Sequence, residues 1–336
     1  MMFTKFLTTL SFIKNKPSVF HNYLLPDTRP FMYLFTFLRR ICQIKDFYKR
    51  KSLTKNFDLS KLNKIPKEKG YLISKSNFMK KKMFKVINRI LKLSDILDWN
   101  KIKKENKKKF LVVYPVDLTE KKNFDILDLL MEDEIIGRIS LYLGQIPILL
   151  SCYLWYSPNK TFEKGRSQQF HLDNEDIRQI KLFIPIKDIA SNTGPLHAIS
   201  KYESVKIYHN LKKFDCKKRF GYPIQNQKFN DEIILKFKSK INKLTAKVGN
   251  VIFLDTSKCY HYGSRPTKNS KPRCMLALHF VTSQSRELPL WGIKNISVLN
   301  NLNIKKFSKE YKNKILNSFF RHYVANKEIK FISEYK

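Results

Sequence analysis

The pattern of apolar positions changes at Gly137 from helix-like segments to short strand-like runs. Before this point, residues 77–109 and 124–132 predict helices, and the first of them ends in a heavily basic stretch. After it, short runs rich in strand-forming residues predict strands at 138–143, 146–156, 170–173, 180–185 and 273–282 and a pair of strands at 245–254. From residue 295 onward the sequence returns to a basic, helical character.

Glycine and turn residues support the same division. Eight of the nine glycines lie between Gly137 and Gly292, and tight turns with positive φ need glycine most. The pattern predicts a turn at 144–147, a loop at 192–195 and a turn at 249–250 between two short strands. We therefore expect a mainly β fold with helical flanks. Its parts are a basic N-terminal segment of unknown role (1–75), a β-rich domain with leading helices (76–290) and a basic helical C-terminal tail (291–336).

Composition and charge exclude some classes of protein and indicate the kind of partner. A hydrophobic content of 43% excludes a disordered chain, and 336 residues are enough to bury a sizeable core. Lys and Arg total 66 against 28 Asp and Glu, a formal net charge of +38. Lys, Asn, Ile and Phe are enriched together, as A/T-rich codons would produce, so part of this charge reflects coding bias. The remainder predicts affinity for anions.

Three interpretations of the basic segment 1–75 stay open. It is a solvated surface, a weak contact for a polyanion or an anionic membrane surface, or a nucleic-acid module. The sequence contains no helix-turn-helix, zinc-finger or RNP pattern, so no specific nucleic-acid module is predicted.

Cysteine usage and hydropathy bear on the compartment. No apolar run reaches the roughly 20 residues that span a bilayer, and the N-terminus lacks the small-residue cleavage site of a secretory signal. The five cysteines are odd in number and contain no CxxC pair, which argues against a disulfide framework and a Cys-rich zinc site. These features predict a cytoplasmic protein without a transmembrane segment.

The most informative local pattern is FHLD, which places His171 and Asp173 on one face of a predicted strand. His261 follows a later strand, and Arg273 begins the last one. Two His and one carboxylate are the metal ligands of non-haem Fe(II) oxygenases, which keep positions open for a cosubstrate and O2. The planar guanidinium of Arg273 can pair with a carboxylate. A lone HxD on an edge strand is a common chance pattern, and His279, which shares strand parity with Arg273, is a rival third ligand.

Over roughly residues 138–281 the chain resembles the phytanoyl-CoA dioxygenase family. The resemblance rests on the stretch 170–204, on GNVIFLDTSKCYHYGSRP and on PRCML. The HxD motif of the family matches His171 and Asp173, its distal His matches His261, and its 2-oxoglutarate-binding Arg matches Arg273. Its NGPL loop matches within 192–196, whereas the Gly-Ser-His that follows it in the family is replaced by Ser-Lys-Tyr at 200–202.

The resemblance implies a double-stranded β-helix (jelly-roll) core and an Fe(II)- and 2-oxoglutarate-dependent dioxygenase, with O2 consumed and ascorbate as a supporting reductant. Such an enzyme hydroxylates a small molecule, here an acyl-CoA or another anionic metabolite, and releases succinate and CO2. Ser264, the nearest hydroxyl after the distal His, and Lys181 are candidate contacts of the cosubstrate. The retained Asp173 favours hydroxylation, because related halogenases replace this carboxylate with a small residue.

A second function remains open at this stage. The charge of +38 is also compatible with a non-catalytic basic jelly roll that binds nucleic acid or another polyanion. That function predicts binding that weakens steeply with salt and survives the loss of every metal ligand.

Overall fold

Two antiparallel β-sheets with helices packed against them form the body of the protein. The computed structural model describes residues 29–57, 60, 63–75, 80–105, 110–118, 120–158, 166–211, 227–285, 287–288 and 314–315. Its strands are β1 (Tyr71–Lys75), β2 (Val112–Pro115), β3 (Ile148–Ser157), β4 (Gln179–Pro185), β5 (Leu196–Ile199), β6 (Ile241–Leu244), β7 (Asn250–Leu254), β8 (His261–Gly263) and β9 (Arg273–Val281). Its α-helices are α1 (Arg29–Cys42), α2 (Ile44–Leu53), α3 (Lys80–Ile96), α4 (Trp99–Glu105), α5 (Phe124–Leu130), α6 (Arg138–Leu143), α7 (Lys201–Leu211) and α8 (Gln227–Phe237).

The larger sheet has six strands in the order β1-β7-β4-β9-β3-β2, and the smaller sheet has three in the order β6-β5-β8. The pairs that build them are antiparallel. Leu196 and Leu244 of the smaller sheet pack in one apolar cluster with Ile252 and Met275 of the larger sheet, so the two sheets face each other. This arrangement confirms the expected fold class, a mainly β, jelly-roll core with helical flanks.

The side chains of strand β9 pack on both faces of the larger sheet. Cys274, Leu276 and Leu278 belong to the cluster beneath the helices, whereas Met275 and Ala277 belong to the cluster between the sheets. Successive side chains of a strand point to opposite faces. The polar residues at the two ends of the inner face of β9 therefore point into the space between the sheets.

Helix α3 covers the outer face of the larger sheet. Its buried residues, at most 2% exposed, are Met83, Val86, Ile87 and Ile90, which have the spacing of one helix face. Arg89, on the same helix, donates to Asp125 and Asn123 at 2.7 Å each, which ties α3 to the start of α5. The predicted helix at 77–109 is thus found as two helices, α3 and α4, and the one at 124–132 is found as α5.

The segment 138–143 was expected to be a strand, and that prediction is wrong. It forms α6, which ends at Gly144 with a φ of 75° in the left-handed region. A run of six residues is too short for periodicity to separate a strand from a buried helix. The helical spacing shows only when the preceding residues are included. Ile135, Ile139 and Leu143 recur every four residues, and each is at most 1% exposed.

Two further strand predictions need correction. Residues 170–173 form no strand; they contribute a single bridge, His171 to His261. The expected strand pair at 245–254 is not a hairpin, because β6 ends at Leu244 in the smaller sheet and β7 begins at Asn250 in the larger one. The strands expected at 146–156, 180–185 and 273–282 are found as β3, β4 and β9.

The predicted domain boundaries stay predictions. The segment 1–75 supplies α1, α2 and β1, and β1 pairs with β7 along all five of its residues. The predicted tail at 291–336 lies outside the described residues except for 314–315.

We expect Leu276→Ala to destabilise the fold strongly. Leu276 is fully buried in the middle of β9, so the truncation leaves a cavity and costs about 2–5 kcal/mol of unfolding free energy. The measurement is urea denaturation at constant m-value. Ile96→Ala, at a position 79% exposed on α3, is the control and should change the free energy by less than about 0.5 kcal/mol. Equal effects of the two variants would contradict the placement of β9 in the core.

Candidate functional site

A short antiparallel contact brings two distant histidines together. The backbone N–H of His171 donates to the carbonyl of His261, and the N–H of His261 donates back to that of His171, both at 3.0 Å. The centroids of the two imidazole rings lie 4.4 Å apart. The N–H of Asp173 donates to Thr256 O at 2.8 Å, which fixes the carboxylate beside the pair.

The three side chains form one group of potential metal ligands. His171 Nε2 lies 3.7 Å from one carboxylate oxygen of Asp173, and His261 Nε2 lies 3.6 Å from the other. One donor atom from each residue lies within 4.8 Å of those of the other two. Such a spacing is small enough for the three atoms to bind a single ion.

Backbone carbonyls fix which nitrogen of each imidazole faces this group. His171 Nδ1 lies 2.8 Å from Gln169 O, and His261 Nδ1 lies 3.0 Å from Cys259 O. A carbonyl only accepts, so each Nδ1 carries the proton and each Nε2 presents a lone pair. Burial, followed by the neighbouring His171, lowers the pKa of His261 to about 3. The ring of His261 is therefore neutral at physiological pH, as a metal ligand requires.

Lys181 holds the carboxylate of Asp173 in its charged form. Its Nζ donates to Asp173 Oδ2 at 2.6 Å from strand β4. Burial alone would raise the pKa of Asp173, but the charge of Lys181, the neighbouring imidazoles and this hydrogen bond lower it below its ordinary value. The structure thus places Lys181 on the candidate ligand, and its predicted contact with a cosubstrate stays a prediction.

Arg273 is a buried cation whose partners are all neutral. It is 5% exposed, donates to Ser157 Oγ at 2.9 Å from the paired position on β3, and donates to Gly194 O. Among the described residues no carboxylate lies within ion-pair distance of Arg273, and burial alone lowers its pKa, to about 10. A buried charge without a counter-ion is costly. This arrangement suits a guanidinium that binds an anionic ligand.

The loop at 192–195 shapes the surroundings of this guanidinium. Gly194 has a φ of +76°, and a Cβ at this position would lie 2.6 Å from the backbone nitrogen of Pro266. Only glycine fits such a position, and its carbonyl is the one that accepts from Arg273. Ser264 Oγ donates to Pro195 O at 2.7 Å, so this hydroxyl holds the loop, and its predicted contact with a cosubstrate stays a prediction.

One cavity of about 250 Å³ joins the candidate metal ligands to Arg273. It lies inside the β-body, and its polar lining comes from the neighbouring strands and loops. Its aromatic and apolar lining consists of Phe110, Leu111, Val113, Tyr153, Trp155, Pro158, Phe183, Leu196 and Pro266. Its polar lining includes His171, Asp173, Glu175, Lys181, His261, Ser264, Arg265 and Arg273.

The rival ligand His279 does not belong to the group of three. It is 6% exposed, and its strand position lies opposite Lys181 in the β4–β9 pairing. Burial, followed by the charge of Lys181, lowers its pKa to about 4, so the ring is neutral. Its position makes it a buried neighbour of the site.

Sequence reasoning missed the residue that supports the loop before His261. Asp255 is fully buried, and its carboxylate accepts from the backbone N–H groups of Ser257 and Lys258 at 3.1 Å each and from Tyr142 Oη at 2.7 Å. These bonds shape the turn that carries Cys259, whose carbonyl orients His261. The signal is present in the sequence, since Asp followed two residues later by Ser after an apolar strand is typical of an Asx-type turn.

No protein-family model matches the chain, and no curated protein matches it.

Several solved structures match the chain at low sequence identity. HygX from Streptomyces hygroscopicus, with nickel and 2-oxoglutarate bound, matches with a TM-score of 0.42 and 14% identity over 64% of this chain and 84% of its own. EctD from S. alaskensis, with 2-oxoglutarate and 5-hydroxyectoine, matches with a TM-score of 0.46 and 16% identity over 69% of this chain and 79% of its own. The non-heme alpha ketoglutarate dependent epimerase SnoN from nogalamycin biosynthesis matches with a TM-score of 0.42 and 9% identity over 64% and 79%. Similarities at this level do not decide the function, so the proposal below rests on the side chains of this chain.

Proposed function

We propose that the protein is an Fe(II)- and 2-oxoglutarate-dependent oxygenase that hydroxylates a small molecule. The observation that carries this proposal is the combination, in one cavity, of two imidazoles and a carboxylate with a buried guanidinium that has no acidic partner among the described residues. A metal centre alone would not need such a cation, and an anion site alone would not need the three ligands.

The donor set fits a divalent first-row metal. Two imidazole Nε2 atoms and one carboxylate are the ligands found in non-haem Fe(II) oxygenases. The backbone carbonyls behind each Nδ1 provide the outer hydrogen bonds that such ligands need. His171, Asp173 and His261 would hold the metal from one side and leave the side toward the cavity for other ligands.

The surroundings of Arg273 fit a carboxylate. The guanidinium has a rigid fork of donors, and its Nε has no hydrogen-bond partner among the described residues. A dicarboxylic keto acid bound at the metal would place its far carboxylate toward this cation. That pairing would supply the counter-ion that the buried charge lacks.

In the proposed reaction the residues of the chain bind and orient the metal and the cosubstrate, and they exclude water. When bound, Fe(II) and 2-oxoglutarate would supply the oxidising chemistry, in which O2 is consumed, 2-oxoglutarate yields succinate and CO2, and the substrate gains a hydroxyl group. Lys181 keeps Asp173 ionised, and Gln169 O and Cys259 O keep both imidazoles in the ligating tautomer. The aromatic lining limits the access of water to the site.

The lining of the cavity bears on the class of substrate. Tyr153, Trp155 and Phe183 offer apolar surface on one side, while Arg265 adds a cation that also lines the cavity. This combination suits a small molecule with an apolar part and an anionic group, such as an acyl-CoA or another anionic metabolite. Retention of the carboxylate at Asp173 supports hydroxylation as the outcome.

We expect His171→Ala to weaken Fe(II) binding by more than about 100-fold, because it removes a ligand and the loss of an outer partner alone costs about 10- to 100-fold. The measurement is anaerobic titration of the purified protein with Fe(II), followed by succinate formation with 2-oxoglutarate and ascorbate. His197→Gln, which changes a buried His outside the group of three, is the control and should bind Fe(II) as the wild type does. Equal Fe(II) affinity of His171→Ala and the wild type would exclude this metal centre.

We expect Arg273→Gln to weaken binding of 2-oxoglutarate by about 10- to 100-fold, since hydrogen bonds to charged groups contribute about 1.5–3 kcal/mol. Fe(II) affinity should stay unchanged, because Arg273 lies outside the ligand group. The measurement is the KM for 2-oxoglutarate and its anaerobic Kd on the Fe(II)-loaded protein. Arg265→Gln removes another arginine that lines the cavity and serves as the matched control. A larger loss in the control than in Arg273→Gln would contradict the assignment.

A further inference from the structure

The first two helices expose apolar side chains and bury arginines. Seven large residues between 47% and 59% exposed lie on α1 and α2, and we call them the apolar face: Tyr33, Leu34, Phe37, Leu38, Ile41, Ile44 and Tyr48. A helix at the surface of a globular protein turns its apolar side inward and its polar side to water. A contiguous apolar patch of this kind marks a site of interaction.

Buried arginines fix these helices in this orientation. Arg39, 2% exposed, donates to the backbone carbonyls of Ser285 and Leu288. Arg50, 1% exposed, donates to Asp46 at 2.7 Å and to Ile146 O at 3.4 Å. Arg39 thus attaches α1 to the body, and Arg50 together with the buried Phe47 attaches α2, while the apolar face points outward.

Positive charge surrounds the apolar face. Arg40, Lys45, Lys49 and Lys51 are exposed on the same two helices. The single acidic residue in 29–53 is Asp46, which forms an ion pair with the buried Arg50. The exposed charge beside the apolar face is thus entirely positive.

The positive charge bears on which partner covers the apolar face: a second copy, a terminal segment of this chain or a lipid surface. A second copy of the chain would bring the same cations against these cations. Residues 1–28 carry three lysines and one aspartate, and residues 289–336 carry ten Lys and Arg and three glutamates, so neither segment offers complementary charge. An anionic lipid surface offers negative headgroups together with an apolar interior, and basic helices with Phe, Leu and Ile on one side bind such surfaces.

We infer that α1 and α2 dock the protein on an anionic membrane surface, with the apolar face inserted among the lipid headgroups and the lysines on the anionic lipids. In the part of the chain that the structure describes, no helix has the length and apolar character to cross a bilayer. In the proposed contact the helices lie along the interface. This contact is independent of the metal centre and of the proposed reaction.

The test is co-sedimentation of the full chain with vesicles of phosphatidylcholine and with vesicles that also contain phosphatidylserine. The wild type should bind the anionic vesicles at least about tenfold more tightly, since each surface cation contributes about 1 kcal/mol. The double variant Phe37→Ser/Leu38→Ser should lose at least about tenfold in affinity for the anionic vesicles, because two apolar side chains no longer insert. Lys45→Glu/Lys49→Glu should lose a similar factor.

A matched control separates insertion from a general loss of hydrophobicity. Leu235→Ser removes a leucine that is 80% exposed on α8, and its vesicle binding should equal that of the wild type. Thermal unfolding midpoints of all variants should match, because every substituted side chain is exposed.

Three outcomes would overturn the inference. The first is a wild type that does not sediment with anionic vesicles. The second is vesicle binding that the lysine variant abolishes and the Phe37→Ser/Leu38→Ser variant leaves intact, which indicates a polyanion contact without insertion. The third is a dimer in analytical ultracentrifugation that Phe37→Ser/Leu38→Ser dissociates, which indicates that a second copy covers the apolar face.

Discussion

The reciprocal backbone hydrogen bonds between His171 and His261 are the interaction on which the candidate site depends. They join a loop before β4 to the start of β8, so that two residues far apart in the sequence present their imidazoles to one point. The Asp173 carboxylate reaches the same point through its own backbone bond to Thr256. A metal site of this kind is a product of sheet topology, because no local segment contains all three ligands.

The same topology builds the anion side of the cavity. Strand β9 places Arg273 opposite Ser157 of β3, while the left-handed turn at Gly194 brings a carbonyl to the guanidinium. Among the described residues the guanidinium has only neutral partners, and a buried charge without a counter-ion costs folding free energy that an anionic ligand would offset. The candidate metal ligands and the arginine are thus held by separate elements around one cavity, and each can be tested without removing the other.

Most residues of the candidate site could be named from the sequence, and the errors in the fold have local causes. The sequence argument placed His171 and Asp173 together on one face of a strand, whereas the structure brings them together through the backbone bonds of His171 to His261 and of Asp173 to Thr256. The segment 138–143 was misassigned because six residues cannot show a period. The partly buried ion pair between Lys181 and Asp173 and the orientation of each imidazole depend on contacts between segments distant in the sequence, which the spacing of residues along the chain does not reveal.

The most direct test of the central claim is an anaerobic crystal structure of the protein with Fe(II) and 2-oxoglutarate. The account predicts one metal ion at roughly 2.0–2.2 Å from His171 Nε2, His261 Nε2 and an oxygen of Asp173. It also predicts a carboxylate of 2-oxoglutarate on the guanidinium of Arg273. A metal bound elsewhere, or a 2-oxoglutarate molecule that leaves Arg273 with only Ser157 and Gly194 as partners, would contradict it.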